Sequence, residues 1–237
     1  MERLSGLFGS LRYGAVRAGC NSVAAIALAG CAANAETVTI AALGDSLTAG
    51  YGLPAGQGFV PQLEAWLLAQ GADVNVVNAG VSGDTTAGGL ARVDWAITGD
   101  TDAMILELGA NDFLRGIDPA VSRENLAGIL EASREAGLET LLVAIPASNN
   151  YGADYRIAFD GMYTDLADEF DVPLYPDFFA ALDTAEDTSG AAQRYFQADG
   201  LHPNAEGVAL IVEAIGPEVL KLVEAASAQA AAQTVAE

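Results

Sequence analysis

The stretch Leu43-Gly-Asp-Ser-Leu-Thr-Ala-Gly-Tyr-Gly52 follows an apolar, β-branched run at residues 37–43 and precedes a segment with helical periodicity. Such a run predicts a buried parallel strand that ends at a glycine and turns into a helix at Ser46. A serine at that turn lies at the carboxyl edge of the sheet, near backbone N–H groups that stabilise a developing anion. Ser46 is therefore a candidate nucleophile.

A serine hydroxyl is a weak nucleophile, so it needs a base within hydrogen-bond reach and a carboxylate that orients the base. The chain contains one histidine, His202, in the stretch Asp199-Gly-Leu-His-Pro-Asn204. Taken alone, Ser46 or His202 could be an ordinary turn or cap residue. Together they predict nucleophilic catalysis, with Asp199 orienting the imidazole. Pro203 predicts that a helix begins directly after His202.

Four short blocks carry a resemblance to a known family, and they occur in order at residues 44–47, 78–86, 107–112 and 199–204. They resemble the blocks of the GDSL, or SGNH, hydrolases, and the likeness extends over about residues 38–222. Within that family, the chain is most similar to the bacterial group called thioesterase I, lysophospholipase L1 or arylesterase.

The resemblance implies roles for five residues. It implies Ser46 as nucleophile, His202 as base and Asp199 as the residue that orients the base. It also implies that the backbone N–H groups of Ser46 and Gly80 and the side-chain amide of Asn111 stabilise the oxyanion. Glycine at position 80 suits a close backbone approach because it has no Cβ.

Strand and helix patterns alternate along the chain. This alternation predicts an α/β protein, a three-layer α/β/α sandwich with a flavodoxin-like parallel sheet, which is also the SGNH hydrolase fold that the resemblance implies. Ser46, Gly80, Asn111 and Pro146 follow the first four strands, so they should gather at one edge of the sheet. The predicted strands are 37–43, 73–78, 103–108 and 140–145, with a short apolar segment at 172–175, and helices are predicted near 60–67, 86–97, 119–136, 156–170 and 204–224.

The first 35 residues are typical of a signal peptide. Three arginines precede an apolar core at 23–28, which is much shorter than the ~20 residues of a membrane-spanning helix. Cleavage after Ala33-Asn-Ala35 would give a soluble periplasmic or secreted protein. The stretch Leu28-Ala-Gly-Cys31 instead resembles a lipobox, which would attach a lipid anchor at Cys31. The catalytic domain is predicted at 36–224, followed by an Ala- and Gln-rich tail at 225–237.

Charge and residue counts exclude several classes of partner. The formal net charge is −22, which disfavours binding to nucleic acid and leaves Cys31 as the one predicted link to a membrane. Both cysteines lie in the leader, and a single histidine disfavours an imidazole-rich metal site. We expect no metal and no cofactor, a monomer, and a small-molecule acyl ester or thioester as substrate.

Three functions are compatible with the sequence. The first is a serine-dependent acyl-ester hydrolase of the arylesterase, lysophospholipase or acyl-thioesterase type. The second is a deacetylase of polysaccharides or of the cell envelope, and the third is a non-catalytic periplasmic binding module. Ala153 and Asp154 stand where the family commonly has basic residues, which disfavours anionic substrates. Asp45 and Asp112 are predicted to anchor loops rather than to react.

Overall fold

The computed structural model describes residues 37–183 and 194–236, with side chains as far as residue 233. The predicted leader at 1–35, with both cleavage sites and Cys31, lies outside these described residues. Within the described ranges, none of the helices combines the length and the apolar character that crossing a membrane requires.

Parallel strands form the centre of the described chain: β1 (Val38–Gly44), β2 (Val74–Gly80), β3 (Ala103–Glu107), β4 (Glu139–Val143) and β5 (Leu174–Tyr175). They form one sheet in the order β2-β1-β3-β4-β5. The register places Gly44 beside Gly80 on one side and beside Glu107 on the other. Every residue of β3 is buried, as expected for a central strand that is covered on both faces.

Helices connect the strands and cover the sheet: α1 (Ser46–Ala49), α2 (Phe59–Ala69), α3 (Thr86–Ala96), α4 (Ala110–Leu114), α5 (Pro119–Glu135), α6 (Ala153–Phe170), α7 (Ala180–Asp183) and α8 (Ala205–Ala236). Alternate residues of β3 enter two different cores. Ile105 packs in a core with α2, α7 and α8, whereas Met104 and Leu106 pack in a core with α3, α5 and α6. The sheet therefore lies between two helical layers, and the predicted three-layer α/β/α sandwich is confirmed.

The strand order places the predicted site residues together. The chain passes from β1 outward to β2 and then crosses back to β3, so its direction switches between β1 and β3. In open α/β sheets, ligands bind beyond the carboxyl ends of the strands at such a switch point. Ser46 directly follows β1, Gly80 ends β2, and Asn111 lies just after β3. All three lie at the same carboxyl edge, as predicted.

The last helix is longer than predicted. It continues through the segment 225–236, which the sequence assigned to a tail after a helix ending near 224. Alanine and glutamine favour helix in the absence of other constraints, and this segment is rich in both. Ala226 is buried in the core, and the side chain of Gln229 donates to the Gly137 carbonyl. Packing on the domain thus extends the helix beyond its expected end.

Candidate active site

The serine turn, which we define as residues 45–50, carries Ser46 at the first position of α1. The Asp45 carboxylate caps this short helix, because its Oδ1 accepts from the Leu47 N–H at 3.0 Å. The buried Thr48 donates from Oγ1 to Glu107 Oε2 at 2.7 Å. These two contacts fix the backbone on either side of Ser46, and Asp45 anchors the turn as predicted.

The histidine loop, which we define as residues 196–204, is closed by an antiparallel bridge between Phe196 and Pro203. The Gln197 N–H donates to the His202 carbonyl at 2.8 Å, and the Gln197 side chain donates to the Tyr51 carbonyl at 2.8 Å. Tyr51 directly follows the serine turn, so Gln197 links the two segments. This link brings His202 to Ser46.

The last helix begins one residue after its predicted start near 204, and Pro203 lies before the helix rather than at its first position. Asn204 is the capping residue instead, because its Oδ1 accepts from the N–H groups of Glu206 and Gly207, both at 3.0 Å. Asparagine satisfies N–H groups that have no partner at a helix start, and the helix therefore begins at Ala205.

Ser46, His202 and Asp199 form one hydrogen-bonded series. His202 Nε2 lies 2.8 Å from Ser46 Oγ, and His202 Nδ1 lies 2.7 Å from Asp199 Oδ2. Hydrogen bonds from the Leu201 N–H and from His202 lower the pKa of Asp199 from 3.8 to about 2, so this carboxylate is ionised at neutral pH. An ionised acceptor at Nδ1 keeps the ring proton there, which leaves Nε2 able to accept the Ser46 proton.

Asn111 lies just after β3, which pairs with β1 on the side opposite β2. One hydrogen of its amide points to Asp45 Oδ2 at 3.0 Å, and an amide nitrogen carries a second hydrogen. Gly109 turns the chain sharply from β3 into α4 with φ 133, and a Cβ there would lie 2.1 Å from the Tyr163 hydroxyl oxygen. Glycine at 109 is therefore required to place Asn111 at this edge.

Gly80 packs against the serine turn. An added Cβ would lie 2.3 Å from the Ala49 nitrogen and 2.9 Å from the Asp45 carbonyl oxygen. The missing Cβ thus allows close contact with the protein's own backbone, and not only the close approach to a ligand that glycine at this position predicts. The Gly80 N–H donates to Asn78 Oδ1 at 2.9 Å, and the exposed Asn78 side chain can turn away to release it.

A cavity of about 490 Å³ opens beside Ser46 and His202, within the size range of small-molecule sites. Asn111 also lines it, whereas Asp199 contacts the other side of the imidazole. The Tyr51 ring lies 4.7 Å from the His202 ring and forms part of the wall. Pro146 lies at this edge as predicted, and the other apolar lining comes from Leu47, Ala110, Phe113, Leu114, Ile145, Phe179 and Leu201.

Two buried acids lie beneath the serine turn. Burial raises the pKa of Asp45 from 3.8 to about 6, although hydrogen bonds from the Leu47 N–H and Asn111 oppose this rise. Burial also raises the pKa of Glu107 well above 4.5, and the neighbouring Asp45 charge adds to the effect. Within the described residues, Glu107 Oε1 is the one buried side-chain oxygen without a hydrogen-bond partner.

We expect Glu107→Gln to reduce the loss of stability at high pH. A group whose pKa is raised by folding binds more protons in the folded state than in the unfolded state. The free energy of unfolding therefore falls as the pH rises above the pKa that the group has in the unfolded chain, which for Glu107 is 4.5. A glutamine at this position does not ionise and removes this contribution. Urea unfolding at pH 5 and pH 8 measures this contribution. The free energy of unfolding should differ less between the two pH values in Glu107→Gln than in the parent protein. The exposed Glu124→Gln is the matched control, and equal differences in all three proteins contradict the prediction.

Asp112 has a structural role, as predicted. Its carboxylate accepts from the Thr86 N–H at 2.8 Å, from Thr86 Oγ1 at 2.5 Å and from Ser122 Oγ at 2.9 Å, and it thereby joins the starts of α3 and α5. Among the side chains that the structure describes, no group of three His, Cys, Asp or Glu residues could hold a metal ion.

A serine, an imidazole and an ionised carboxylate in hydrogen-bonded series, at the carboxyl edge of a parallel sheet, define a serine hydrolase. The GDSL-like lipase/acylhydrolase family matches residues 42–210, and the chain belongs to this family. The resemblance seen in the four sequence blocks is thus confirmed.

Similar proteins include curated enzymes and a solved structure. The chain is 37% identical over 205 residues to esterase TesA of Pseudomonas aeruginosa. The matched region covers 84% of this chain and 98% of that esterase. The chain is also 37% identical over 194 residues to thioesterase 1/protease 1/lysophospholipase L1 of Escherichia coli K12, and the matched region covers 81% of this chain and 87% of that enzyme. The crystal structure of AlinE4, an SGNH-hydrolase family esterase, matches with a TM-score of 0.64 and 41% identity over 78% of this chain and 96% of that one.

Proposed function

We propose that this protein is a serine-dependent acyl-ester hydrolase that works through an acyl-enzyme on Ser46. The observation that carries this proposal is the 2.8 Å hydrogen bond between His202 Nε2 and Ser46 Oγ, with Asp199 on the other ring nitrogen. Membership of the GDSL-like lipase/acylhydrolase family supports ester hydrolysis. Neither a polysaccharide deacetylase nor a non-catalytic binding module is favoured by the similar proteins, which are named esterases and thioesterases.

In the proposed mechanism, His202 Nε2 takes the Ser46 proton as Ser46 Oγ attacks the acyl carbonyl carbon. The carbonyl electron pair moves onto oxygen, and the resulting oxyanion accepts hydrogen bonds from Asn111 and from the N–H groups of Ser46 and Gly80. The tetrahedral intermediate collapses, and His202 returns the proton to the departing alcohol or thiol. Water then attacks the acyl-enzyme with His202 as base again, which releases the carboxylic acid and regenerates Ser46.

We further propose that the preferred substrates are neutral esters. The cavity wall is mainly apolar, so a charged acyl chain would lose hydration there without gaining a partner. The net charge of −22 repels anions before they reach the cavity. Asp154, at the start of α6, adds an acidic side chain three residues after Tyr151. The Tyr151 ring packs on Phe113, which lines the cavity.

Two matched esters test this proposal. We expect p-nitrophenyl butyrate to be hydrolysed with a kcat/KM at least about 10-fold higher than p-nitrophenyl hydrogen succinate, which has a similar length and one carboxylate. Added salt should reduce the difference, since screening weakens the repulsion between exposed charges. Equal rates for the two esters contradict the neutral preference, and no hydrolysis of either ester contradicts the proposed function.

We also propose that the protein acts as a monomer outside the cytoplasm, either free in the periplasm, secreted, or anchored through Cys31. The support for this compartment is the arginine-preceded apolar leader in the sequence.

A further inference from the structure

One side chain, Arg92 of α3, contacts the ends of two strands. Its Nη1 donates to the Ala79 carbonyl at 2.6 Å, and its Nη2 donates to the Gly44 carbonyl at 2.8 Å. Its Nε donates to Asp84 Oδ2 at 2.6 Å, and the Arg92 side chain is only 17% exposed. Gly44 directly precedes the serine turn on β1, and Ala79 directly precedes Gly80 on β2.

The Ala79 carbonyl and the Gly80 N–H belong to the same peptide group. A trans peptide is planar, so its C=O and N–H point in opposite directions. Because Arg92 holds the carbonyl, it also fixes the direction of the Gly80 N–H. Asn78 Oδ1, 2.9 Å from the Gly80 nitrogen, marks where an acceptor oxygen fits. The Gly44 carbonyl is related in the same way to the Asp45 N–H, at the start of the serine turn.

We infer that Arg92 is a positioning residue of the oxyanion site, an inference that rests on the proposed function. A hydrogen bond to a peptide carbonyl polarises the group and strengthens its N–H as a donor. Arg92 thus aims the Gly80 N–H and strengthens its bond to the oxyanion without touching the substrate. The planar guanidinium holds three acceptors at fixed angles, whereas a lysine ammonium is a point charge on a flexible stem.

Arg92→Lys tests the inference, with hydrolysis of p-nitrophenyl butyrate as the assay. We expect kcat to fall about 10- to 100-fold, somewhat less than the ~10²–10³-fold loss typical of removing an oxyanion donor, with KM changing less than about 3-fold. Affinity for a trifluoromethyl ketone with the same acyl chain, which forms a tetrahedral adduct on serine, should fall by the same factor as kcat/KM. Arg123→Lys, whose parent side chain binds Glu169 on the helical surface, is the matched control and keeps the parent kcat.

Two results overturn the inference. One is a kcat of Arg92→Lys within about 2-fold of the parent value, and the other is an equal loss of affinity for the ketone and for the product acid. If circular dichroism shows that Arg92→Lys does not fold, Asp84→Ala replaces it. That variant removes the acceptor that holds Arg92 Nε, so the guanidinium is no longer fixed against the two carbonyls. We expect kcat to fall by a smaller factor than in Arg92→Lys, and an unchanged kcat overturns the inference.

Ser46→Ala, assayed in parallel, separates this inference from the proposed function. Equal hydrolysis by the parent protein and by Ser46→Ala contradicts the function itself. A large loss in Ser46→Ala with no loss in Arg92→Lys overturns the role of Arg92 alone.

Discussion

Replacing Ser46 with alanine is expected to lower kcat/KM for p-nitrophenyl butyrate by about 10⁴-fold or more. Alanine has no oxygen to form the acyl-enzyme, so hydrolysis would depend on direct attack by water held at His202. The fold should be retained, since Ser46 Oγ bonds to His202 and the serine turn is fixed by Asp45 and Thr48 instead. Residual hydrolysis should remain above the uncatalysed rate because the oxyanion donors stay in place.

The control for this variant is Ser227→Ala, which removes a serine hydroxyl of α8 that donates to the Val223 carbonyl. Purified parent protein, Ser46→Ala and Ser227→Ala are compared by initial rates and by intact mass after treatment with a fluorophosphonate. The parent protein and Ser227→Ala should each gain one phosphonyl group, and Ser46→Ala should gain none. Labelling of Ser46→Ala, or activity close to that of the parent protein, contradicts the assignment of the nucleophile.

Asp199→Asn should lower kcat by about 10³- to 10⁴-fold, for a different reason. The introduced asparagine can still accept from the N–H groups of Leu201 and His202 through its oxygen, so the histidine loop should keep its shape. Its amide nitrogen then faces His202 Nδ1 and donates to it. The imidazole proton is forced onto Nε2, where it points at Ser46 Oγ, so Nε2 cannot accept the serine proton. The fold is kept and the wrong tautomer is imposed.

Steady-state kinetics at neutral pH measure this effect, and the exposed Asp94→Asn on α3 is the matched control for loss of one negative charge. Both variants should melt close to the parent protein, because Asp199 and Asp94 lie at the surface. A kcat for Asp199→Asn within about 10-fold of the Asp94→Asn value would show that the carboxylate does not set the tautomer.

The sheet and its carboxyl edge could be predicted because their signals are local. A strand buried on both faces, such as β3, is a continuous apolar run, and the residues that follow parallel strands meet at one edge by topology. Ser46, Asn111 and His202 could therefore be placed together from their positions after strands and before α8. The short helices α4 and α7 could not be predicted, since four or five residues show no helical periodicity.

Features that depend on packing were not accessible from the sequence. The contact between the exposed Asn78 side chain and the Gly80 N–H depends on a rotamer, and no pattern of residue types predicts it. Pro203 indicated the first position of α8, but the Asn204 side chain caps the helix, which therefore begins at Ala205. The burial of Glu107 could not be predicted either, because a carboxylate at the end of an apolar strand is ordinarily exposed to solvent.

Ser46 and His202 are 156 residues apart in the chain, and their contact depends on a loop held at the start of the last helix. A ribosome makes the serine long before it makes the imidazole. A nascent chain of this protein therefore has no base for its nucleophile until the histidine loop has been made and has folded onto the serine turn.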